Sequence, residues 1–278
     1  MKTGSNFNME NDLFSLDNKI CIVSGAASGM GKQISLGFAQ YGASVILVDI
    51  NIEGAEETHS LIKNNGGKSL VVPCDISNIK DIENLYEILD STFGTIDVLV
   101  NVAGEGLHGR PEEIDLSILT KTLDNLVVGR FKMCQEAGNR MIKNNVGSII
   151  NFGSIGGWSS LGRGHAAYGI SMAAVIQMTK ELSTEWSSRG VRVNAILPAQ
   201  VWNENLRSRV KDSPELEQTF KDGLPIGRLG NPEEVKGLAI FLASEASTFI
   251  TGAIIPMDGG NLAMNSGGSY PGSSRIYG

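Results

Sequence analysis

The chain has 278 residues, of which 41% are hydrophobic and 19% charged, a composition that fits one large globular domain and argues against disorder. Its 23 Lys and Arg against 30 Asp and Glu give a net charge of −7, so it lacks the basic face that nucleic-acid binding requires. No apolar stretch approaches the ~18 residues of a membrane span. Three widely spaced cysteines in apolar runs predict buried thiols in a reducing compartment and no metal site. We therefore expect a cytoplasmic protein that binds neither nucleic acid nor a membrane.

Short β-rich runs alternate with helical patterns along the chain at the spacing of βαβ units. Strands are predicted at 19–24, 44–49, 69–73, 98–101, 148–152, 192–197 and 253–257. Helices are predicted near 30–41, 52–64, 78–92, 117–144, 166–187 and 232–243. Because most of the strands are continuous apolar runs, they favour a parallel sheet that is covered on both faces. The pattern predicts a single doubly wound α/β domain with a mostly seven-stranded parallel sheet.

Three segments depart from this alternation. Residues 1–17 are polar and aperiodic, which predicts an N-terminal arm before a domain that spans 18–262. The charge-rich insertion at about 199–228 is predicted to be a lid over a substrate site. Residues 263–278 are rich in Gly and Ser, which predicts a flexible tail.

The first predicted strand runs directly into a glycine-rich turn, SGAASGMG, and a helical pattern follows. Glycines let the backbone turn tightly and approach a pyrophosphate, and the helix N-terminus adds free amides and a positive dipole end. Any strand-to-helix turn can use glycine, but the strand before and the helix after this turn favour a nucleotide cradle in a Rossmann-type domain. The predicted cradle residues are Gly25, Ser28, Gly29, Met30 and Gly31.

Asp49 stands at the end of the second predicted strand. A carboxylate at that point can accept both adenosine ribose hydroxyls and would repel a 2′-phosphate. No Arg or Lys occurs between Gly42 and Lys63 to receive such a phosphate. The alternative is an ordinary solvated aspartate. We therefore predict NAD rather than NADP as the cofactor.

These motifs resemble those of the short-chain dehydrogenase/reductase family over roughly residues 16–260. The further matching segments are Asp75 in CDIS, NVAG at 101–104, Ser154 in INFGSIGG, Tyr168 in YGISM, Pro198 in NAILPAQ, and TGAIIPMDGG at 251–260. The resemblance implies hydride transfer between a nicotinamide and an alcohol or carbonyl, and assembly into tetramers or, less expected, dimers. It also implies cofactor contacts from Asp75, Ile76, Asn101, Ala103, Gly104, Tyr168, Met172, Pro198, Val201 and Asn203.

The chemistry can also be argued from Ser154 and Tyr168. Carbonyl reduction needs a proton donor at the oxygen, which a tyrosine can be, and a serine hydroxyl can hold the developing alkoxide. Taken alone, each residue is explained as well by a turn serine or a half-buried helix tyrosine. Their occurrence together, 14 residues apart, favours the catalytic interpretation.

Two positions depart from the family's pattern. The fourth residue after Tyr168 is Met172, where the family has a lysine that favours the phenolate and holds the nicotinamide ribose. Counting back from Gly129, Leu126 stands where the family has a catalytic asparagine, and Asn125 comes one residue early. A local bulge would be needed to bring Asn125 back, since one residue on a helix turns a side chain by about 100°. Without an adjacent cation, alcohol oxidation near neutral pH should suffer more than carbonyl reduction.

Further polar residues cluster near the expected pocket, and we predict that they contact substrate: Glu105, His108, Trp158, Arg163 and His165. His165 is also predicted as a substitute acid or base, because a loop histidine near Tyr168 can titrate near neutral pH. The alternative for each is an ordinary polar loop at the mouth of a sheet. A polar pocket favours a polyol, sugar or hydroxy acid as substrate.

The sequence thus predicts an NAD-dependent oxidoreductase with an atypical active site. One alternative is a dinucleotide-binding protein of little redox activity, such as a sensor or a stabilising subunit. Another is a lyase or isomerase that uses His165 and Tyr168 as acid and base. Apolar residues on more than one face of the helices at 117–144 and 166–187 favour a homotetramer, with a dimer less expected.

Overall fold

A computed structural model of the chain describes residues 13–162 and 164–264. Seven parallel strands form one sheet in the order β3-β2-β1-β4-β5-β6-β7. The strands are β1 (Ile20–Ser24), β2 (Ser44–Asp49), β3 (Lys68–Pro73), β4 (Val98–Asn101), β5 (Gly147–Phe152), β6 (Val191–Pro198) and β7 (Ile254–Met257). The strand order reverses between β1 and β4, and ligands of such sheets bind in the crevice at that point. The predicted doubly wound Rossmann-type fold is confirmed.

Helices cover both faces of the sheet. They are α1 (Gly29–Gln40), α2 (Ile52–Asn64), α3 (Ile79–Thr92), α4 (Leu116–Leu123), α5 (Gly129–Asn144), α6 (Ile155–Trp158), α7 (Ala166–Trp186), α8 (Glu204–Asp212), α9 (Glu215–Asp222) and α10 (Val235–Ala243). The helix predicted at 117–144 is not continuous, because a π-helical turn at Asp124–Val128 separates α4 from α5. None of the described helices is long and apolar enough to cross a bilayer.

Every residue of β1 is buried, and alternate side chains enter the two halves of the core. Ile20 and Ile22 belong to the cluster under α3, α5 and α7, whereas Cys21 and Val23 belong to the cluster under α1 and α10. This two-sided burial explains why the strand is apolar throughout instead of alternating. The cysteines are free and buried as predicted, and burial raises the pKa of the Cys74 and Cys134 thiols to about 12.

The predicted lid region contains α8 and α9, which the sequence pattern did not resolve as helices. The region has an apolar cluster of its own, separate from the sheet core: Leu206, Phe220, Leu224 and Leu229. Asn203 caps α8 by accepting the amide of Leu206 at 2.8 Å. Most of the predicted N-terminal arm and C-terminal tail, residues 1–12 and 265–278, lies outside the described residues.

Candidate active site

The glycine-rich turn between β1 and α1 is shaped by contacts between backbone atoms. Gly25 has a φ of +76°, and a Cβ built on it would lie 3.0 Å from the amide nitrogen of Ala103. A Cβ on Gly31 would lie 2.0 Å from the carbonyl oxygen of Gly25, so α1 can approach the turn only with glycine there. Gly29, with a φ of +53°, has nothing within 4 Å of such a Cβ. The turn therefore leaves open space at the first turn of α1, which fits a dinucleotide pyrophosphate.

Asp49 lies at the end of β2, next to this turn. Its Oδ2 accepts the amide of Ala27 at 2.9 Å, and its Oδ1 accepts the amide of Asn51 at 2.9 Å. Each carboxylate oxygen keeps a second lone pair for another donor. The half-buried carboxylate is thus held in a fixed orientation at the edge where an adenosine ribose would lie.

The loop after β3 places Asp75 and Ile76 beside α5. Asp75 Oδ1 accepts both the amide and the hydroxyl of Ser77, at 2.8 and 2.7 Å. Ile76 is buried, and a Cβ on Gly129 would lie 1.8 Å from its carbonyl oxygen. The loop is therefore packed tightly against the helix, and Asp75 has one oxygen engaged in a local turn.

The end of β4 is tied to β1 by a residue that the sequence analysis missed. Ser24 Oγ accepts the amides of Val102 and Ala103, each at 3.2 Å. The side chain of Asn101, in contrast, is completely buried and donates to Asn151 Oδ1 at 3.0 Å. The side-chain oxygen Oδ1 of Asn101 has no hydrogen-bond partner among the described residues, and the expectation that Asn101 lines the cofactor stays a prediction. The sequence signal for this role of Ser24 was a polar residue at the end of an otherwise apolar strand.

A cleft of about 730 Å³ opens at the carboxyl edge of the sheet, beneath the lid. Ten of the predicted site residues line it: Ser28, Gly104, Glu105, His108, Ser154, His165, Tyr168, Pro198, Val201 and Asn203. The lid adds residues that the sequence analysis did not assign to the site: Gln200, Asn205, Leu206, Arg209, Leu216 and Phe220. Polar groups from five separate chain segments thus converge on one cavity of the size that small ligands occupy.

Ser154 and Tyr168 both face this cleft. Ser154 is the N-cap of α6, and its Oγ accepts the amide of Gly156 at 3.1 Å. A hydroxyl that accepts a hydrogen bond still has its own proton to donate. The ring of Tyr168 packs against the loop after β4, because a Cβ on Gly106 would lie 2.2 Å from Tyr168 Cδ2. Both hydroxyl-bearing side chains therefore border the same cleft.

Two histidines stand beside Tyr168. The ring centroids of His108 and His165 are 4.2 Å apart, and those of His165 and Tyr168 are 6.3 Å apart. His165 Nδ1 lies 3.0 Å from the carbonyl oxygen of Gly162, which only accepts, so this contact places a proton on Nδ1. Burial, with the nearby His165 and Arg209, lowers the pKa of His108.

Of the two remaining predicted substrate residues, the structure describes one. Trp158 is 58% exposed at the end of α6 and is absent from the cleft lining, and its role as a substrate contact stays a prediction. Arg163 lies outside the described residues.

Comparison with known proteins matches this arrangement to a family. The family model described as enoyl-(acyl carrier protein) reductase matches residues 25–261, which contain the glycine-rich turn from Gly25 onward, Ser154 and Tyr168. The chain belongs to the short-chain dehydrogenase/reductase family. Members of this family are dehydrogenases and reductases, and their cofactors are nicotinamide dinucleotides.

Individual relatives in this family act on small polar compounds. The chain is 37% identical over 247 residues to D-threitol dehydrogenase of Mycolicibacterium smegmatis, covering 89% of this chain and 94% of that protein. It is 34% identical over 247 residues to NAD-dependent glycerol dehydrogenase of Listeria innocua, covering 89% and 95%. A gluconate 5-dehydrogenase from Burkholderia cenocepacia, in complex with NADP and tartrate, has a TM-score of 0.86 at 26% identity, covering 91% and 99%.

The family's lysine position is occupied by a buried apolar side chain. Met172 is 1% exposed and packs with Leu126 and Val175, next to the partly buried Val127 and Tyr168. It is absent from the cleft lining, and the expected cofactor contact of Met172 stays a prediction. The thioether of methionine carries no charge that could bind ribose hydroxyls, and it is more stable in an apolar cluster.

The family's asparagine position is changed by the π-helical turn. A π-turn accommodates one extra residue within a helix, and here it lies at Asp124–Val128. Asn125 Oδ1 accepts the amide of Glu105 at 3.1 Å. The local bulge that Asn125 would need is therefore present, and it directs Asn125 to the loop after β4, while Leu126 enters the apolar cluster.

Arg130 is a second residue that the sequence analysis missed. It lies on α5 and is 3% exposed. Its guanidinium donates to three carbonyl oxygens at the ends of β4 and β5, those of Val102, Ala103 and Phe152. Burial lowers its pKa to about 10. The sequence does contain a signal for Arg130. It stands four positions from both Leu126 and Cys134, whose buried side chains mark the helix face that meets the core.

Proposed function

We propose that the chain is an NAD(H)-dependent oxidoreductase that interconverts an alcohol and a carbonyl on a small polar substrate, such as a polyol, sugar or hydroxy acid. The observation that carries this proposal is the meeting of Ser154 and Tyr168 in one cleft, which begins at Ser28 of the glycine-rich turn. The polar side chains around the cleft support the substrate class, as do the relatives named as threitol and glycerol dehydrogenases.

Ser154 and Tyr168 have different roles at the substrate oxygen. In oxidation, the phenolate of Tyr168 takes the hydroxyl proton of the alcohol, while Ser154 donates a hydrogen bond to that oxygen. In reduction, the phenol returns a proton to the forming alkoxide. A nicotinamide dinucleotide held in the cradle would supply the hydride chemistry that this proton transfer accompanies.

The residues of the turn and of the neighbouring strand ends would hold the dinucleotide. The pyrophosphate would lie at Gly29 and the first amides of α1, and the ribose hydroxyls would bind the second lone pairs of Asp49. The relatives include both NAD- and NADP-binding proteins. The preference for NAD therefore rests on Asp49, whose charge would repel a 2′-phosphate.

A dinucleotide-binding protein with little redox activity is the second candidate. The apolar cluster of Leu126, Met172 and Val175 supports it, because the family's charged relay would otherwise pass through that space. Ser154 and Tyr168 argue for the enzyme, since a protein that only binds has no evident need for both.

The two candidates are separated by nicotinamide absorbance with threitol, glycerol, gluconate and a long-chain alcohol, using both cofactors. We expect turnover with NAD and at least one of the polar substrates, in preference to the long-chain alcohol. Dinucleotide binding measured on the same preparation is the control. Tight binding without turnover of any compound would leave the binding-protein candidate.

We also propose a homotetramer in the cytoplasm, with a dimer as the less expected assembly. Apolar side chains exposed on α4, the π-turn, α5 and α7 support the assembly: Leu116, Val128, Phe131 and Ile170. Val175, Met178 and Leu182 do not support it, because they are buried within the chain. Light scattering at micromolar concentration tests the assembly, and a monomer would contradict it.

A further inference from the structure

Arg130 is a buried cation without a carboxylate partner among the described residues. Its Nε and Nη2 donate to the carbonyl oxygen of Ala103 at 3.0 and 2.8 Å, and Nη2 also donates to that of Val102 at 3.1 Å. Nη1 donates to the carbonyl oxygen of Phe152. Neutral carbonyl groups satisfy the donors of a guanidinium but do not neutralise its charge.

Burying an unpaired charge is costly, and a neutral amide can donate to the same carbonyl groups without that cost. The positive charge of Arg130 is therefore best explained by an anion that forms near it. No anionic side chain among the described residues is paired with it, so the anion is one that binds or forms during the reaction.

Gly104 separates the guanidinium of Arg130 from the cleft in which such an anion can form. A Cβ built on Gly104 would lie 3.4 Å from Arg130 Nη2 and 2.5 Å from Leu126 Cδ2. Gly104 itself lines the cleft together with Tyr168. Tyr168 and Leu126 also share the apolar cluster that contains Met172. The guanidinium thus lies on the far side of Gly104 from the cleft, and the phenolate of Tyr168 would raise the pKa of Arg130.

We propose that Arg130 is a positioning residue that supplies from α5 the positive charge that Met172 cannot supply from α7, and that it stabilises the phenolate of Tyr168 during alcohol oxidation. This inference rests on the proposed function. A Coulomb interaction depends on the distance between charges and not on the helix that carries them, so the cation can be moved to another element.

Other charged groups around Tyr168 also bear on its ionisation. His165 stands at the start of α7, and the loop after β4, α8 and α5 carry the remaining ones: Glu105, His108, Glu204, Arg209 and Arg130. The two histidines are in ring contact with Tyr168, at centroid distances of 6.2 and 6.3 Å. Arg130 and Arg209 are the guanidinium cations of this set, and Arg130 is the one that lies next to Gly104.

The test compares Arg130→Gln, which keeps an amide donor without the charge, with Arg130→Lys, which keeps the charge. Arg140→Gln is the matched control, because Arg140 lies on the same helix and pairs with Asp90 and Glu136 away from the cleft. Two readouts are taken: tyrosinate absorbance against pH in the free protein, as the difference from Tyr168→Phe, and the pH profile of oxidation.

We expect Arg130→Gln to move the midpoint of the Tyr168 tyrosinate signal upward by at least about one pH unit, and to lower oxidation at pH 7 by about 10- to 1000-fold. Arg130→Lys and Arg140→Gln should leave the midpoint within about half a pH unit. Adding Met172→Lys to Arg130→Gln should move it back down. An unchanged midpoint in folded Arg130→Gln would overturn the proposal.

If Arg130→Gln does not fold, the titration of the parent decides. We expect the Tyr168 tyrosinate midpoint of the parent to lie at least about half a pH unit below the ordinary tyrosine value of ~10, and a higher midpoint would overturn the proposal. A parent that binds the dinucleotide but oxidises nothing would refute the proposed function alone, because the tyrosinate titration still reports on Arg130.

Discussion

In the half of the sheet formed by β1 to β3, the candidate site is built mainly from the backbone of the glycine-rich turn together with the Asp49 carboxylate, whereas in the half formed by β4 to β6 it is built mainly from side chains. The glycine-rich turn has no tolerance at Gly31, where a Cβ would meet the Gly25 carbonyl oxygen at 2.0 Å. The second half keeps Ser154 and Tyr168, but Met172 has replaced a charged family residue. Backbone contacts cannot be moved to another position, but a charge can, so the family pattern is kept in one half and altered in the other.

The largest effect should come from Tyr168→Phe, which removes only the phenol oxygen. We expect oxidation and reduction to fall by about 10²- to 10⁴-fold, the usual contribution of a general acid or base. Dinucleotide binding should stay within about threefold, because the cradle is in the other half. Tyr41→Phe, on the surface after α1, is the matched control. Activity above a tenth of the parent would contradict the role of Tyr168 as the general acid or base.

The next effect tests the backbone half. Gly29→Ala should weaken dinucleotide binding by at least about tenfold, because its Cβ would enter the space at the first turn of α1. Gly66→Ala is the matched control, since Gly66 also has a positive φ, +78°, and open space around it, but lies in the turn before β3. Both changes should cost about 1 kcal/mol of folding stability. Equal dinucleotide binding by the two variants would contradict the placement of the pyrophosphate at Gly29.

A smaller effect is expected on the choice between NAD and NADP. Asp49→Asn keeps an oxygen for the amide of Ala27 but removes the charge, so NADP binding should improve by about 10- to 100-fold relative to NAD. Asp97→Asn is the control, because Asp97 accepts the amide of Ile20 at 2.8 Å at the other end of the sheet. Titration of both cofactors measures the ratio. A parent that prefers NADP would refute this role of Asp49.

The smallest effect concerns Glu234, which combines a backbone contact with a charge contact at the end of the lid. The Arg228 guanidinium and the amide of Asn231 lower its pKa to about 2. Because the folded value lies below the unfolded one, this stabilisation is present above about pH 4.5 and is lost as the pH falls toward 2. The pair is partly exposed, so Glu234→Gln should cost less than about 1 kcal/mol at pH 7.

Urea unfolding from pH 7 down to pH 3 measures this difference. Glu217→Gln, which removes an ion pair with Lys221 only, is the control and should cost less. A loss for Glu234→Gln that grows as the pH falls would have the wrong sign for a lowered pKa.

The fold and the cradle were predictable because they depend on local patterns. Continuous apolar runs marked the strands to within one or two residues, and the glycines at 25, 29 and 31 marked the turn. The same patterns failed at Asp124–Val128, because the periodicity of a helix with one inserted residue resembles that of an unbroken helix. They also could not show which side chains line the cleft, since a polar or aromatic residue near a motif does not reveal which way its side chain points.

The sequence by itself determined the doubly wound sheet, the cradle and the presence of Ser154 and Tyr168, because each follows from residues that are neighbours along the chain. Only the tertiary structure decided which side chains share the cleft, where Met172 is buried and that Arg130 lies behind Gly104. Those relations join α5, α7 and the ends of β4 and β5, which are far apart in sequence. Burial and electrostatic contact depend on distances in space, and packing sets these distances.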